Sequence, residues 1–238
     1  MKIYAIGDLH LSFNEAGEET KPMAVFGKAW ENHWQKIKNN WLSSIKAEDV
    51  ILLPGDISWA LQLEEAIPDF LELSRLPGTK VFIKGNHDLW WQSLKKIRKI
   101  LPEELVFIQN NHYSLGDRVA IAGTRGWLMP GDVGFSGHDQ KIYRREVGRL
   151  RLSLQSVPDN CREIIAVFHF PPINSKQEEN ELTDLLQEFG VKKCVYAHLH
   201  GHSLQGALRG EKWGIEFILA SADGIGFSPI IIKDLELG

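Results

Sequence analysis

The chain has 238 residues, 43% of them apolar, enough for a sizeable core that needs no disulfide or metal staple. Its formal net charge of −4 carries no basic signature of a nucleic-acid binder, although local charges or metals could still hold a nucleotide. Two cysteines, Cys161 and Cys194, are too few for a disulfide framework, and each flanks an apolar run as a buried free thiol would.

Ile3 to Ile6 read as a strand, followed by Asp8 and His10, which share one side of an extended segment. Residues 14–23 are polar and read as a loop. Trp30, Trp34, Ile37, Trp41 and Ile45 then recur at helical spacing, a stripe read as core, with His33 read as surface. Val50 to Leu53 form a second strand and end in Pro54-Gly55-Asp56. A helical face follows with Leu63, Ala66, Ile67, Phe70 and Leu71. After the Pro77-Gly78 turn, the strand Val81 to Ile83 runs into Gly85-Asn86-His87-Asp88, and a helix is expected from about Leu89, with Trp90, Leu94, Ile97 and Leu101 on one face. Strand and helix thus alternate three times, which predicts a parallel sheet with helices packed on it and a site at the carboxyl ends of the strands.

Leu105 to Ile108 and Arg118 to Ala122 read as further strands. The irregular segment Gly123 to Gly137 is long for a connection. Its Arg125 and Trp127, with His138, either face a substrate or belong to a surface excursion. The helix after Asp139 carries Arg144, Arg145, Arg149 and Arg151 off its apolar face, read as a solvated face with a phosphate clamp as the alternative. The strand Ile164 to Phe168 ends in His169. Ser175 and Glu178 have capping-box spacing before a helix that stops at Gly190. Cys194 to Ala197 lead into His198, His200 and His202, and Ile215 to Ala220 and Pro229 to Ile232 close the sheet. No linker, repeat, signal-peptide pattern or membrane-length apolar run is evident, so the expectation is one domain over residues 1–238, soluble and cytoplasmic.

Seven strand-end groups stand out: Asp8, His10, Asp56, Asn86, His169, His198 and His200. Mixed nitrogen and oxygen donors without thiolate suit manganese, iron or zinc. Seven are too many for one tetrahedral ion. With one bridging carboxylate, they supply about four ligands to each of two divalent metals. Two carboxylates leave such a pair of ions with a positive balance, which favours an anionic substrate such as a phosphoester, with metal-lowered water pKa supplying hydroxide. His87 is left over and is assigned to protonate or stabilise the leaving oxygen, with Asp88 orienting its ring.

Asp8-x-His10, Gly55-Asp56, Gly85-Asn86-His87-Asp88, His169 and His198-x-His200, in this order and spacing, resemble the calcineurin-like metallophosphoesterase superfamily. The resemblance implies an α/β fold, a four-layer α/β/β/α sandwich with two mixed β-sheets flanked by helices. It implies one metal held by Asp8, His10, Asp56 and His200, and a second held by Asp56, Asn86, His169 and His198, with Asp56 bridging and His87 catalytic. Many members carry a second Asp where this chain has Trp59, followed in the serine/threonine phosphatase branch by an Arg that grips the phosphate. Here Ala60 and Leu61 follow, and Ala197 replaces a usual Gly. The expected activity is a two-metal phosphodiesterase on a small or nucleotide-type substrate, with manganese as the first choice of metal. A phosphomonoesterase and a non-catalytic metal-binding interaction module are the alternatives.

Overall fold

In the computed structural model, which describes residues 1–235, the short apolar runs are strands and the amphipathic stretches are helices. The chain runs through β1 (Lys2–Ala5), α1 (His33–Ser44), β2 (Val50–Pro54), α2 (Ile67–Ser74), β3 (Thr79–Ile83) and α3 (Leu94–Ile100). It continues through β4 (Val106–Phe107), β5 (His112–Leu115), β6 (Val119–Thr124), α4 (Gly137–Gln155) and β7 (Glu163–Phe168). It closes with α5 (Glu181–Glu188), β8 (Lys193–Tyr196), β9 (Gly210–Lys212), β10 (Ile215–Leu219) and β11 (Ile230–Asp234).

One sheet has the order β11-β1-β2-β3-β4 and the other β5-β6-β7-β8-β10-β9. Both are mixed. In the first, β11 runs antiparallel to β1 beside parallel neighbours. In the second, β5 and β9 are the antiparallel edges. Period-two alternation explains the layers. Ile3, Ala5, Val50, Leu52, Val81 and Ile83 meet Val119, Ile121, Ile165 and Val167 in a core between the sheets. The alternate residues Tyr4, Ile51, Leu53 and Phe82 join Trp41, Phe70 and Ile97 in a second core under α1, α2 and α3. Ala166, Phe168, Cys194 and Tyr196 form a third with Tyr143 and Leu150 of α4 and Leu182 and Leu186 of α5. The α/β/β/α sandwich expected from the resemblance is therefore present. The expected domain limit at residue 238 lies outside the described residues.

Some local readings are corrected. No helix starts at Leu89; residues 89–90 form a turn, α3 begins after Ser93, and Trp90 is buried against Phe70. His33 is 2% exposed, not surface, because its Nε2 lies 3.0 Å from the Leu9 carbonyl. The cap of α5 is Asn180, whose Oδ1 accepts from Leu182 N at 2.9 Å, while Ser175 and Glu178 lie in the preceding loop. Strands β5 and β9 were absent from the sequence reading. Of the two free cysteines, Cys194 is buried and Cys161 only partly so.

Beneath the strand ends, the buried Asp69 of α2 accepts hydrogen bonds from Ser58 Oγ and from Phe13 N, the latter at 2.7 Å. Burial pushes its carboxyl up from 3.8 to about 6, only partly offset by these two donors. A raised acid favours the folded state while protonated. Its contribution is complete below about 4 and is lost as pH rises through 6, about 3 kcal/mol by pH 7. The difference in urea midpoint between wild type and Asp69→Asn should therefore shift in favour of the variant between pH 4 and 7. A difference that stays constant over that range would remove this account of Asp69.

Candidate metal centre

Strands β1, β2, β3, β7 and β8 all end at one place, and each carries functional side chains just beyond its last residue. The loops after β1 and β2 run side by side. Asp8 N donates to the Gly55 carbonyl at 3.0 Å and His10 N to the Asp56 carbonyl at 2.9 Å. Asp8, His10, Asp56 and His198 have φ of 58°, 47°, 52° and 73°, in the left-handed region. Four non-glycine residues held there at one spot mark strain retained at a site, which short polar side chains tolerate best. Gly85 is needed for contact between the β2 and β3 loops. A Cβ there would lie 2.1 Å from Asp56 Oδ1 and 2.2 Å from Asp56 N.

The candidate ligand atoms converge. Asp56 Oδ2 is 3.9 Å from His10 Nε2 and 3.5 Å from His169 Nε2. Asp8 Oδ2 is 3.6 Å from His200 Nε2, and Asp8 Oδ1 is 3.8 Å from His169 Nδ1. His169 Nδ1 lies 2.9 Å from the Pro54 carbonyl, which can only accept, so this nitrogen carries the proton and Nε2 keeps its lone pair. That lone pair faces Asn86 Oδ1 at 2.6 Å and lies 3.1 Å from His198 Nδ1. Acceptors crowded together in this way ask for a cation between them. Among the described residues, two three-residue groups have ligand atoms within 4.8 Å of one another: Asp8, His10 and His200, and Asp8, Asp56 and His169. Asp8 belongs to both, and Asp56 lies between the imidazoles of His10 and His169. All seven expected ligand residues are thus brought to one place.

Two metal ions fit this donor set. Asp8 Oδ1 and His10 Nδ1 are buried polar atoms without a hydrogen-bond partner, a costly state unless something else satisfies them. Burial lowers His10 and His169 to about 3 and His198 to about 4, so these imidazoles are neutral and keep a free lone pair. His200 differs. Burial would lower it, but hydrogen bonds to Asp223 and Asp8 and their charges push it up to about 10. Its Nδ1 is 2.7 Å from Asp223 Oδ1, which orients the ring with Nε2 toward Asp8. Burial would raise Asp8, but the His200 hydrogen bond and the neighbouring imidazoles hold it below the usual carboxylate range. Burial, then the charges of Asp88 and Asp8, push Asp56 up to about 9. Cations would reverse that repulsion.

His87 is exposed. Its backbone N donates to Asp56 Oδ1 at 2.8 Å, and its ring lies 4.6 Å from Trp59 and 5.8 Å from His10. Burial, then the positive charge of His200, lowers its pKa, partly offset by Asp8. Asp88 does not orient this ring. Its two oxygens accept from Asp56 N, Ile57 N, Ser58 N, Gly85 N and Trp90 Nε1 at 2.7–3.3 Å, so the carboxylate is a buried clamp between the β2 and β3 loops. Trp59 stacks on His10 at 4.8 Å, and Trp30 lies 5.4 Å from His200.

Arg125 and Trp127 lie on the side of His169. The Arg125 carbonyl accepts from His169 N and Phe170 N, and its guanidinium stacks on Trp127 at 4.5 Å. Trp127 donates to Asp139 and packs on Phe170, whose ring lies 4.0 Å from that of His198. His138 and His202 are exposed. The sequence reading missed Asp223, Trp30, Trp59 as a ring contact and Phe170. An Asp just beyond the end of β10, like those beyond β1 and β2, was the available signal for Asp223.

The sequence model of the calcineurin-like phosphoesterases matches residues 1–202. The chain belongs to this family. The chain is 32% identical over 96 residues to the uncharacterized protein MJ1445 of Methanocaldococcus jannaschii, a match covering 40% of this chain and 52% of that protein. The match thus spans about half the length of that relative. Among solved structures, the phosphopantetheinyl hydrolase PptH of Mycobacterium tuberculosis aligns with a TM-score of 0.61 at 15% identity, over 99% of this chain and 97% of that one. AQ665 of Aquifex aeolicus, a protein of unknown function, aligns with a TM-score of 0.51 at 13% identity, over 99% and 98%. These structural likenesses establish the fold of this calcineurin-like chain.

Proposed function

We propose that this calcineurin-like chain is a single-domain, metal-dependent hydrolase of phosphate esters, acting as a phosphodiesterase on a small or nucleotide-type substrate. The observation that carries the reading is the convergence of candidate ligand atoms from five strand ends, with Asp8 Oδ1 and His10 Nδ1 buried there without a partner. His10, Asp8, Asp56 and His200 would hold one ion, and Asp56, Asn86, His169 and His198 the other. Asp56 would serve both sets, as its place between His10 and His169 supports. The mixed imidazole and carboxylate set favours manganese over a structural thiolate-type metal. Bound there, the ions would supply Lewis acidity and an acidified water. His87, exposed beside Asp56, would place its ring at the leaving oxygen and, having taken a proton from solvent as imidazolium, pass that proton to it. Trp59 fixes that ring from one side.

The preference for a diester rests on Ala60 and Leu61 standing where an arginine would grip a phosphate dianion. Trp127, and Arg125 beside it, are assigned to the substrate through their place beside Phe170 and His198. A cytoplasmic setting accords with two unpaired cysteines. No helix among the described residues is long and apolar enough to cross a membrane.

The test is metal-stripped protein refilled with manganese and assayed on bis(4-nitrophenyl) phosphate and 4-nitrophenyl phosphate. Turnover should require metal and favour the diester. His87→Ala should cost about 10²-fold on a diester with a nucleoside leaving group, which needs a proton, and less on a nitrophenyl ester, whose phenolate leaves unaided. A monoester preference would move the chain to the phosphomonoesterases. No turnover with two metals bound would make it an interaction module.

A further inference from the structure

Beside the metal centre lies a cavity with a volume of about 190 Å³, where β3 and β6 end. Lys84, Thr124, Arg125, Glu146, Arg149 and Gln109 line it, and no candidate metal ligand does. Its volume is below that of a pocket for a whole ligand and suits one polar group. Three cations and a single carboxylate line it. Glu146, with its side chain 1% exposed, accepts from Thr124 Oγ1 at 2.5 Å, Arg149 Nη1 at 2.7 Å and Arg125 Nη2 at 3.4 Å. Its oxygens are occupied, and the cavity keeps an excess of positive charge.

Donors are left over among these residues, two of them decisive. Lys84 is half-buried, and its ammonium has no hydrogen-bond or ion-pair partner among the described residues. Arg125 Nε is buried without an acceptor, in a guanidinium that lies over the Trp127 ring at 4.5 Å. A buried N–H without an acceptor carries a desolvation cost that a ligand oxygen would remove. A guanidinium fork with a lysine beside it is the donor set that suits a phosphate. The cavity adjoins the Asn86 and His169 half of the centre. The Arg125 carbonyl accepts from His169 N at 3.1 Å, and the Lys84 Cα lies two residues, at most about 7 Å of chain, from that of Asn86.

We infer that this cavity is an anion subsite for a second phosphate of the substrate, so that the preferred substrate is a nucleotide-type phosphodiester carrying a further terminal phosphate. This rests on the phosphoesterase reading for what occupies the neighbouring centre. Glu146 is the positioning residue that holds Arg125 and Arg149 over the cavity.

Calorimetric titration of the manganese-loaded protein with thymidine 3′,5′-bisphosphate and with thymidine 5′-phosphate tests it without turnover. The bisphosphate should bind at least tenfold tighter. Lys84→Gln and Arg149→Gln should each bring that ratio close to one, the loss of about one charge-assisted hydrogen bond. Equal affinity for the two nucleotides in the wild type, or an equal loss on both in each variant, would overturn the subsite. The 5′-(4-nitrophenyl) esters of the same pair separate the two readings. Tighter bisphosphate binding with neither ester cleaved leaves the subsite standing and sinks the hydrolase. Cleavage of both with identical KM and identical affinity sinks the subsite alone.

Discussion

Asp88→Ala should lower the unfolding free energy by roughly 4 kcal/mol and take metal affinity with it. The carboxylate is 0% exposed and accepts five N–H groups from the β2 loop, the β3 loop and Trp90. Alanine leaves these donors unpaired, at about 1–3 kcal/mol for each that water cannot reach. Asp88→Asn should cost about half as much. Its remaining oxygen can keep Ile57, Ser58 and Trp90, while its amide faces Asp56 N and Gly85 N, donor against donor. The loss should extend to the metals, because the clamp holds Asp56 and Asn86 at their mutual distance. Urea unfolding of the stripped proteins and metal titration of the folded ones check the two parts. A stable Asp88→Ala protein with unchanged affinity would show that the loops hold themselves.

Asp56→Asn should cut turnover about 10⁴-fold, the several kcal/mol of transition-state charge stabilisation that a metal supplies, converted at tenfold per 1.36 kcal/mol. Its amide can keep an oxygen on His87 N at 2.8 Å, but then turns an NH2 toward the space between His10 and His169 where cations belong. Stability should move the other way. Burial and the charges of Asp88 and Asp8 push the Asp56 carboxyl up to about 9, so without metal an ionised Asp56 strains the fold. Stripped Asp56→Asn should therefore be at least as stable as stripped wild type at alkaline pH. Lost activity together with lost stability would mean that Asp56 holds the loop rather than the ions.

The strands and their functional ends were legible because β1, β2, β3, β7 and β8 are buried on both faces and read as unbroken apolar runs. Asp8, Asp56, Asn86 and His169 each follow such a run, so position in the chain alone nominated them. The edge strands were not legible. His112–Leu115 and Gly210–Lys212 are short and largely polar, and they are ordered by pairing with β6 and β10. Asp88 was misread because an Asp next to a His suggests a partner for the ring, whereas its actual partners include N–H groups some thirty residues upstream. His33 and Trp90 were misplaced for a related reason. Each is fixed by a distant contact, the Leu9 carbonyl and Phe70, which local periodicity does not carry. Trp59 was noted only as a departure from a family motif, and the fold shows what it does instead: it stacks on His10 at 4.8 Å and flanks His87.

The most direct test of the central claim is the metal content of the chain. Stripped protein refilled with excess manganese and dialysed should hold two ions per chain by elemental analysis, and phosphodiester turnover should rise with occupancy of the second. Two ions falling to one or none in Asp56→Asn would support a role for Asp56 in holding both. A wild-type protein that holds one ion or none under these conditions, or that turns over fully when stripped, would contradict the binuclear centre.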